Sequence, residues 1–312
     1  MAPLKSDRLF GFHDPGGEYI THNLGISGWA LYTHALGHDP DDHSGFDYWA
    51  TEARAQTAIA RLNNGYYPNG TIPQMGYYVP FSRRCANWVK ASEGCHLWVI
   101  GNESNHEQER PHGESIYPEE YACCYRLCRF AIRNVPGHED DEVLVGAVAP
   151  WNVQTAYTGN PGGYWLDYQL DILESLGPDN CDGITIHAYT HGTHPDLIYS
   201  DAKMGKPFEN DHYNFKVYRD LMGAIPHDMR HLPVYLTEAD QDEPWADVNS
   251  GWVKNAYGEI DHWNHQPGNQ KILCMLLYRW QRGHDKWGIE GKDGVIADYR
   301  DAVQQGYTWE TV

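Results

Sequence analysis

The stretch Trp98-Val-Ile-Gly-Asn-Glu-Ser-Asn-His106 decides the reading of this chain. It opens as a short apolar run and breaks abruptly into polar groups. Such a run predicts a strand buried on both faces, with the polar tail at its C-terminal mouth. Asn102 and Glu103 then stand where parallel α/β proteins bind ligands. Leu232-Pro-Val-Tyr-Leu-Thr-Glu-Ala-Asp240 repeats the design, with Glu238 directly after a hydrophobic strand. Two carboxyls at two strand mouths are what cleavage of a glycosidic bond requires.

Outward from these two segments, strand, loop and helix alternate. Apolar runs predict strands over residues 8–12, 29–33, 58–62, 96–101, 143–148, 183–186, 233–236 and 272–277. Helical patterns fall over residues 48–60, 81–91, 118–134, 164–176, 212–224, 251–264 and 299–305. Pro118 with Glu119 and Glu120 is helix-start chemistry, and Gly177-Pro178 is a helix stop. Parallel strands need crossovers of this length. Eight units favour a closed barrel over an open doubly wound sheet. No Gly-x-Gly-x-x-Gly follows strand one and no phosphate loop is present, which weakens the open alternative further. The expectation is an α/β protein, a (β/α)8 TIM barrel, with residues 1–312 as a single domain.

Composition narrows the partners. Lys and Arg number 23 against 43 Asp and Glu, a formal net charge of −20. That argues against nucleic acid or an anionic membrane surface. The 12 Trp and 22 Tyr far outnumber the 7 Phe, and rings that pair an apolar face with a polar handle suit a cleft for sugars. No apolar run approaches the ~20 residues of a membrane span, and the first residues lack an apolar signal core. The chain reads as cytoplasmic, or as a mature form whose leader was removed. Seven cysteines without a Cys-x-x-Cys pair read as mostly free, buried thiols, which favours a reducing compartment. Asn69-Gly-Thr71 fits a glycosylation sequon that matters only in a secretory host. Nothing in the sequence fixes the oligomeric state.

The polar residues at the predicted mouths include His13 and Asp14, Arg61, Asn102 and Glu103, Trp151 and Asn152, His187 and Tyr189, Glu238, and Trp280. Gly101-Asn-Glu-Ser-Asn105 resembles the Asn-Glu acid/base motif of the clan A glycoside hydrolases. Thr237-Glu238 resembles their nucleophile segment, His187-Ala-Tyr189 their His-x-Tyr element, and Trp280 their sugar-platform tryptophan. The resemblance runs from strand four to strand eight, in order, and stops at the level of the clan.

It implies a retaining hydrolase of a neutral β-linked glycan or glycoside. Glu103 would be the acid/base and Glu238 the nucleophile, with Asn102 on the sugar 2-hydroxyl. Tyr189 and Arg61 would keep Glu238 ionised, His187 would line the subsite, and Trp280 would floor it. His13, Asp14, Trp151 and Asn152 are further candidate sugar contacts. No cofactor and no metal is expected. His191, His194 and Asp196 could approach one another, but there is no His-x-His pair on strand one and no His-Glu-x-x-His. The alternatives are a carbohydrate-binding barrel without turnover and a metal-dependent barrel hydrolase. The first has no need of both carboxyls. Chelator sensitivity separates the second.

Overall fold

Strands covered on both faces need no alternation of polar and apolar residues, and these strands show none. Every residue of β3 (Gln56–Asn63) and β8 (Ile272–Leu277) is buried. The computed structural model describes residues 5–310 except 53, 55 and 282–285. Within them β1 (Phe10–His13), β2 (Gly28–Ala35), β3, β4 (Leu97–Ile100), β5 (Glu142–Val145), β6 (Gly183–Tyr189), β7 (Val234–Asp240) and β8 pair in sequence order as one closed parallel barrel. The helices between them are α1 (Tyr19–Asn23), α2 (Trp49–Glu52), α3 (Tyr78–Lys90), α4 (Pro118–Arg133), α5 (Trp165–Leu176), α6 (Val217–Gly223) and α7 (Trp252–Asn264). After β8 comes α8 (Asp293–Val303). The chain is a (β/α)8 barrel.

Strand pleating divides the core in two. Trp29, Leu31, Ile59, Leu97, Val99, Leu144, Tyr235 and Leu276 form one cluster, the filling of the barrel. Their neighbours along the chain, such as Ala30, Trp98, Ile100 and Leu236, join the larger cluster with helix residues including Tyr121, Tyr125, Cys128 and Trp252. On α4 the buried residues Tyr121, Tyr125, Cys128 and Ile132 recur at helical spacing and form the face turned to the strands. The seven cysteines are free, and only Cys123 is exposed. No helix among the described residues is long and apolar enough to cross a membrane.

Closure of β8 on β1 depends on close approach. A Cβ at Gly11 would lie 2.5 Å from Leu276 Cδ2 of β8 and 2.4 Å from the Trp29 carbonyl oxygen of β2, so only glycine fits there. The buried Tyr257 of α7 fastens the same seam, its hydroxyl donating to Met275 O at 2.9 Å and lying 3.2 Å from both Gly11 O and Gly11 N. Tyr257→Phe leaves these backbone groups short of a partner. The expected cost is about 1–3 kcal/mol, read as a lower midpoint in chemical denaturation. An unchanged midpoint would show that the seam does not use the hydroxyl.

Some boundaries differ from expectation. The helix expected over 48–60 is only α2, and β3 occupies its second half; positions 53 and 55 of that range lie outside the described residues. The Ala- and Gln-containing run reads as a good helix former, but burial on both faces makes it strand. α6 begins at Val217 rather than 212, and α8 begins at Asp293 rather than 299. β6 and β7 run on to Tyr189 and Asp240, so the polar residues expected in loops are still paired in the sheet.

Candidate active site

The C-terminal ends of the strands open into a cleft of about 780 Å³. His13 of β1 and Asp14 directly after it, Arg61 of β3, Asn102 and Glu103 after β4, and Tyr189, Glu238 and Asp240 of β6 and β7 line it. Arg61 continues the inward row that Ile59 begins two residues earlier.

Glu238 reaches the cleft by another device. Ile186 pairs with Leu236 but His187 pairs with Glu238, so the ladder passes over Thr237. That irregularity shifts the alternation by one residue. Tyr235 fills the barrel, and Glu238 also faces inward. Bulges re-aim side chains in this way next to functional sites. Glu103, Asp14 and Asp242, just beyond strand ends, have φ of 40°, 69° and 50°, and Trp151, in the loop after β5, has 59°. Backbone held in this sparsely populated region concentrates at functional sites.

The two glutamates share neighbours. Arg61 Nη1 donates to Glu238 Oε1 at 2.6 Å. The Tyr189 hydroxyl lies 3.1 Å from Glu238 Oε2 and 3.5 Å from Glu103 Oε1. His187, wholly buried beneath, places Nδ1 2.7 Å from Glu103 Oε1 and Nε2 3.7 Å from Glu238 Oε1. The nearest oxygens of the two carboxyls are therefore no farther apart than the sum of the two Tyr189 distances.

Burial alone would raise the Glu238 carboxyl, but His187, Arg61 and His13 together reverse that and hold it down at about 2. Arg61 is itself buried, which works against its charge, yet Glu238 and Glu103 keep its pKa raised. His34 in the cleft wall is pushed down to about 4 by burial and meets the Tyr48 hydroxyl at 2.7 Å.

Arg61→Met removes a cation and a short hydrogen bond from Glu238, so its carboxyl rises toward the ordinary range. A carboxylate with a lowered pKa supplies stability above its unfolded value and loses it as pH falls toward the folded value. The variant should therefore lose part of the stability that Glu238 contributes at neutral pH. Its rate should fall off at higher pH than in the wild type, the acid limb moving up by about one unit or more. A pH–rate profile with the same acid limb for both proteins would contradict this.

The other expected contacts divide. Trp280 does not line the cleft: it is only 4% exposed, with its ring 5.0 Å from that of Phe12. A Cβ at Gly16 or Gly17 would strike the Trp280 ring at 2.5 or 2.7 Å, which is why His13-Asp-Pro-Gly-Gly17 ends in two glycines. The aromatic wall comes instead from Phe46, Tyr66, Tyr278 and Trp287. Trp151 stands beside the cleft, its indole donating to His212 O at 2.8 Å and its ring 6.4 Å from that of Tyr189. Asn152 lies outside, its amide donating to Gln154 Oε1.

Sequence reasoning missed Glu109, which enters from a loop with no periodicity to mark it, and it missed the ring of Trp287. Of the metal candidates, His194 and Asp196 are exposed and 3.7 Å apart, while His191 Nδ1 lies 2.5 Å from Tyr213 O. Among the described residues, ligand atoms converge only at His96, His138 and Asp141, at the opposite end of the barrel, where the carboxylate accepts from both imidazoles.

No family model matches the sequence, and no curated protein matches it. Solved structures do match in fold. A glucosidase from Croceicoccus marinus superposes with a TM-score of 0.63 at 11% identity, over 97% of this chain and 67% of that one. A family 44 xyloglucanase from Paenibacillus polymyxa gives 0.57 at 12%, over 96% and 76%. A family 128 (subgroup II) endo-β-1,3-glucanase from Sorangium cellulosum gives 0.54 at 14%, over 96% and 98%. At these identities the likeness is one of fold. The neighbours are glycoside hydrolases, in agreement with the clan to which the motifs point.

Proposed function

We propose that this protein is a retaining β-glycoside hydrolase, with Glu238 as nucleophile and Glu103 as acid/base. The observation that carries this reading is the pair itself: carboxyls from the ends of β4 and β7 meet around one phenol and one imidazole. Their separation, bounded by the Tyr189 contacts, admits the roughly 5–5.5 Å of retaining enzymes and falls short of most of the roughly 6.5–9.5 Å of inverting ones. Structural neighbours named as a glucosidase, a β-glucanase and a xyloglucanase support the glycosidase assignment.

In the first step Glu238 attacks the anomeric carbon while Glu103 gives its proton to the departing oxygen. In the second, Glu103 takes a proton from water, which breaks the glycosyl ester and returns Glu238 as carboxylate. Arg61 and Tyr189 hold the attacking carboxylate ionised and aimed, and Asn102 is placed for the 2-hydroxyl. A panel of aryl β-glycosides followed by proton NMR tests the reading. The β-anomer should appear first and relax to the equilibrium mixture. First appearance of the α-anomer, or no turnover on any member, would overturn it.

A further inference from the structure

We propose that the cleft takes a β-linked glycan of amino sugars whose amines are free and protonated, held by Asn102, Glu109 and the Asp240–Asp242 edge. This rests on the glycosidase reading and replaces the neutral substrate expected from the sequence. Among the described residues, six carboxyls line the cleft: Asp14, Glu103, Glu109, Glu238, Asp240 and Asp242. Among the described residues two guanidiniums line it, and both are engaged. Arg61 pairs with Glu238 at 2.6 Å and Arg279 with Asp14 at 2.5 Å. Glu103, Glu109, Asp240 and Asp242 face no lysine or arginine at ion-pair distance among those residues. Lys286, next to the cleft, lies over the face of Trp287, 4.7 Å from the ring centroid.

A second observation is independent of the charges. Asn63 and Asn102, 2% and 7% exposed, line the cleft with side-chain oxygens that have no hydrogen-bond partner. Buried acceptors of this kind await a donor. An ammonium group brings three donors, no acceptor and the missing positive charge. A sugar hydroxyl would satisfy the oxygens and leave the charge uncompensated.

The carboxyls record that imbalance. Glu109 is pushed up to about 8 by burial and by its neighbours Glu103 and Glu238. Asp240 is held well above the carboxylate range by burial, with Glu238, Asp242 and Glu103 adding to it. A cation bound among them relieves the repulsion. Asn102 stands at the position proposed for the sugar C2 substituent, so a 2-amino group is the natural occupant. The net charge of −20 adds long-range attraction for a polycation.

Two measurements decide the matter. The first compares kcat/KM for p-nitrophenyl 2-amino-2-deoxy-β-glucopyranoside, its N-acetyl form and the plain β-glucoside at mildly acid pH. The amine should be preferred by about tenfold or more, with a preference that shrinks in high salt. In Glu109→Gln and Asp240→Asn the ratio of amine to glucoside should fall several-fold. The second is calorimetric binding of a fully deacetylated β-1,4-glucosamine trimer against cellotriose, with Glu238→Gln.

Equal or better turnover of the neutral glycosides, with no binding preference for the amine, overturns the inference and leaves the glycosidase reading intact. Preferential binding of the amine trimer without hydrolysis of any glycoside overturns the activity and supports the ligand class. If the protein neither binds nor hydrolyses any of them, both fall.

Discussion

Glu238→Ala is expected to lose about 10⁴- to 10⁶-fold in kcat/KM, the scale on which removal of a covalent nucleophile acts. In the proposed mechanism this carboxylate attacks the anomeric carbon and is released again in the second step. Its lowered pKa, about 2, comes from His187, Arg61 and His13 around it and keeps it ionised at neutral pH. Alanine also leaves Arg61 buried beside an empty space, and an uncompensated buried charge is destabilising. Glu238→Gln keeps the shape and part of the hydrogen bonding, so it separates lost chemistry from lost structure. Both variants should be inactive, and the glutamine variant should unfold closer to the wild type. Azide added to Glu238→Ala should occupy the vacated volume and attack once. The product would be the α-glycosyl azide, inverted relative to the substrate. Residual turnover within about a hundredfold of wild type, or no azide product, would remove Glu238 from the role.

The barrel was legible because buried parallel strands are short, almost wholly apolar and evenly spaced. β8 falls on the expected 272–277, and Gly177, with φ of 70°, ends α5 where the sequence places a stop. The α2–β3 boundary was not legible. Gln56, Ala58 and Ala60 carry little strand propensity, and only their covering on both faces makes them sheet. The ends of β6 and β7 were hidden for the opposite reason. His187, Tyr189, Glu238 and Asp240 stop an apolar run in sequence, but polar groups continue a strand when one face turns into a cleft.

The site was legible where a residue sits on a strand end and obscure where it sits on a loop. Glu103 and Glu238 announce themselves by following hydrophobic runs. The passing over of Thr237 that turns Glu238 inward leaves no mark on the sequence, since alternation from Tyr235 would aim it outward. Trp280 follows β8 directly and looked like a platform. The paired glycines Gly16 and Gly17 instead admit its ring to the packing around Phe12, and the loop beyond supplies Trp287 to the cleft. Glu109 sits six residues past Glu103 in a loop, and only the folded chain brings its carboxyl to the same cleft.

Glu103→Ala should respond to the leaving group in a way that Glu238→Ala does not. An alkyl or sugar aglycone departs only if its oxygen is protonated, so kcat/KM for such substrates should fall about 10²- to 10⁴-fold, the range of general acid catalysis. A dinitrophenyl aglycone leaves without help, and its first step should be nearly untouched. The same side chain is then missing from the second step, where it would deprotonate water. The glycosyl ester should accumulate, kcat should fall, and KM should fall with it. Azide needs no deprotonation, so it should speed this variant and yield the β-glycosyl azide, retained where the Glu238→Ala product is inverted. The opposite configurations distinguish the roles of two carboxyls that share Tyr189 and His187 as neighbours. Equal loss with activated and unactivated aglycones would mean that Glu103 serves the architecture of the cleft and not the proton.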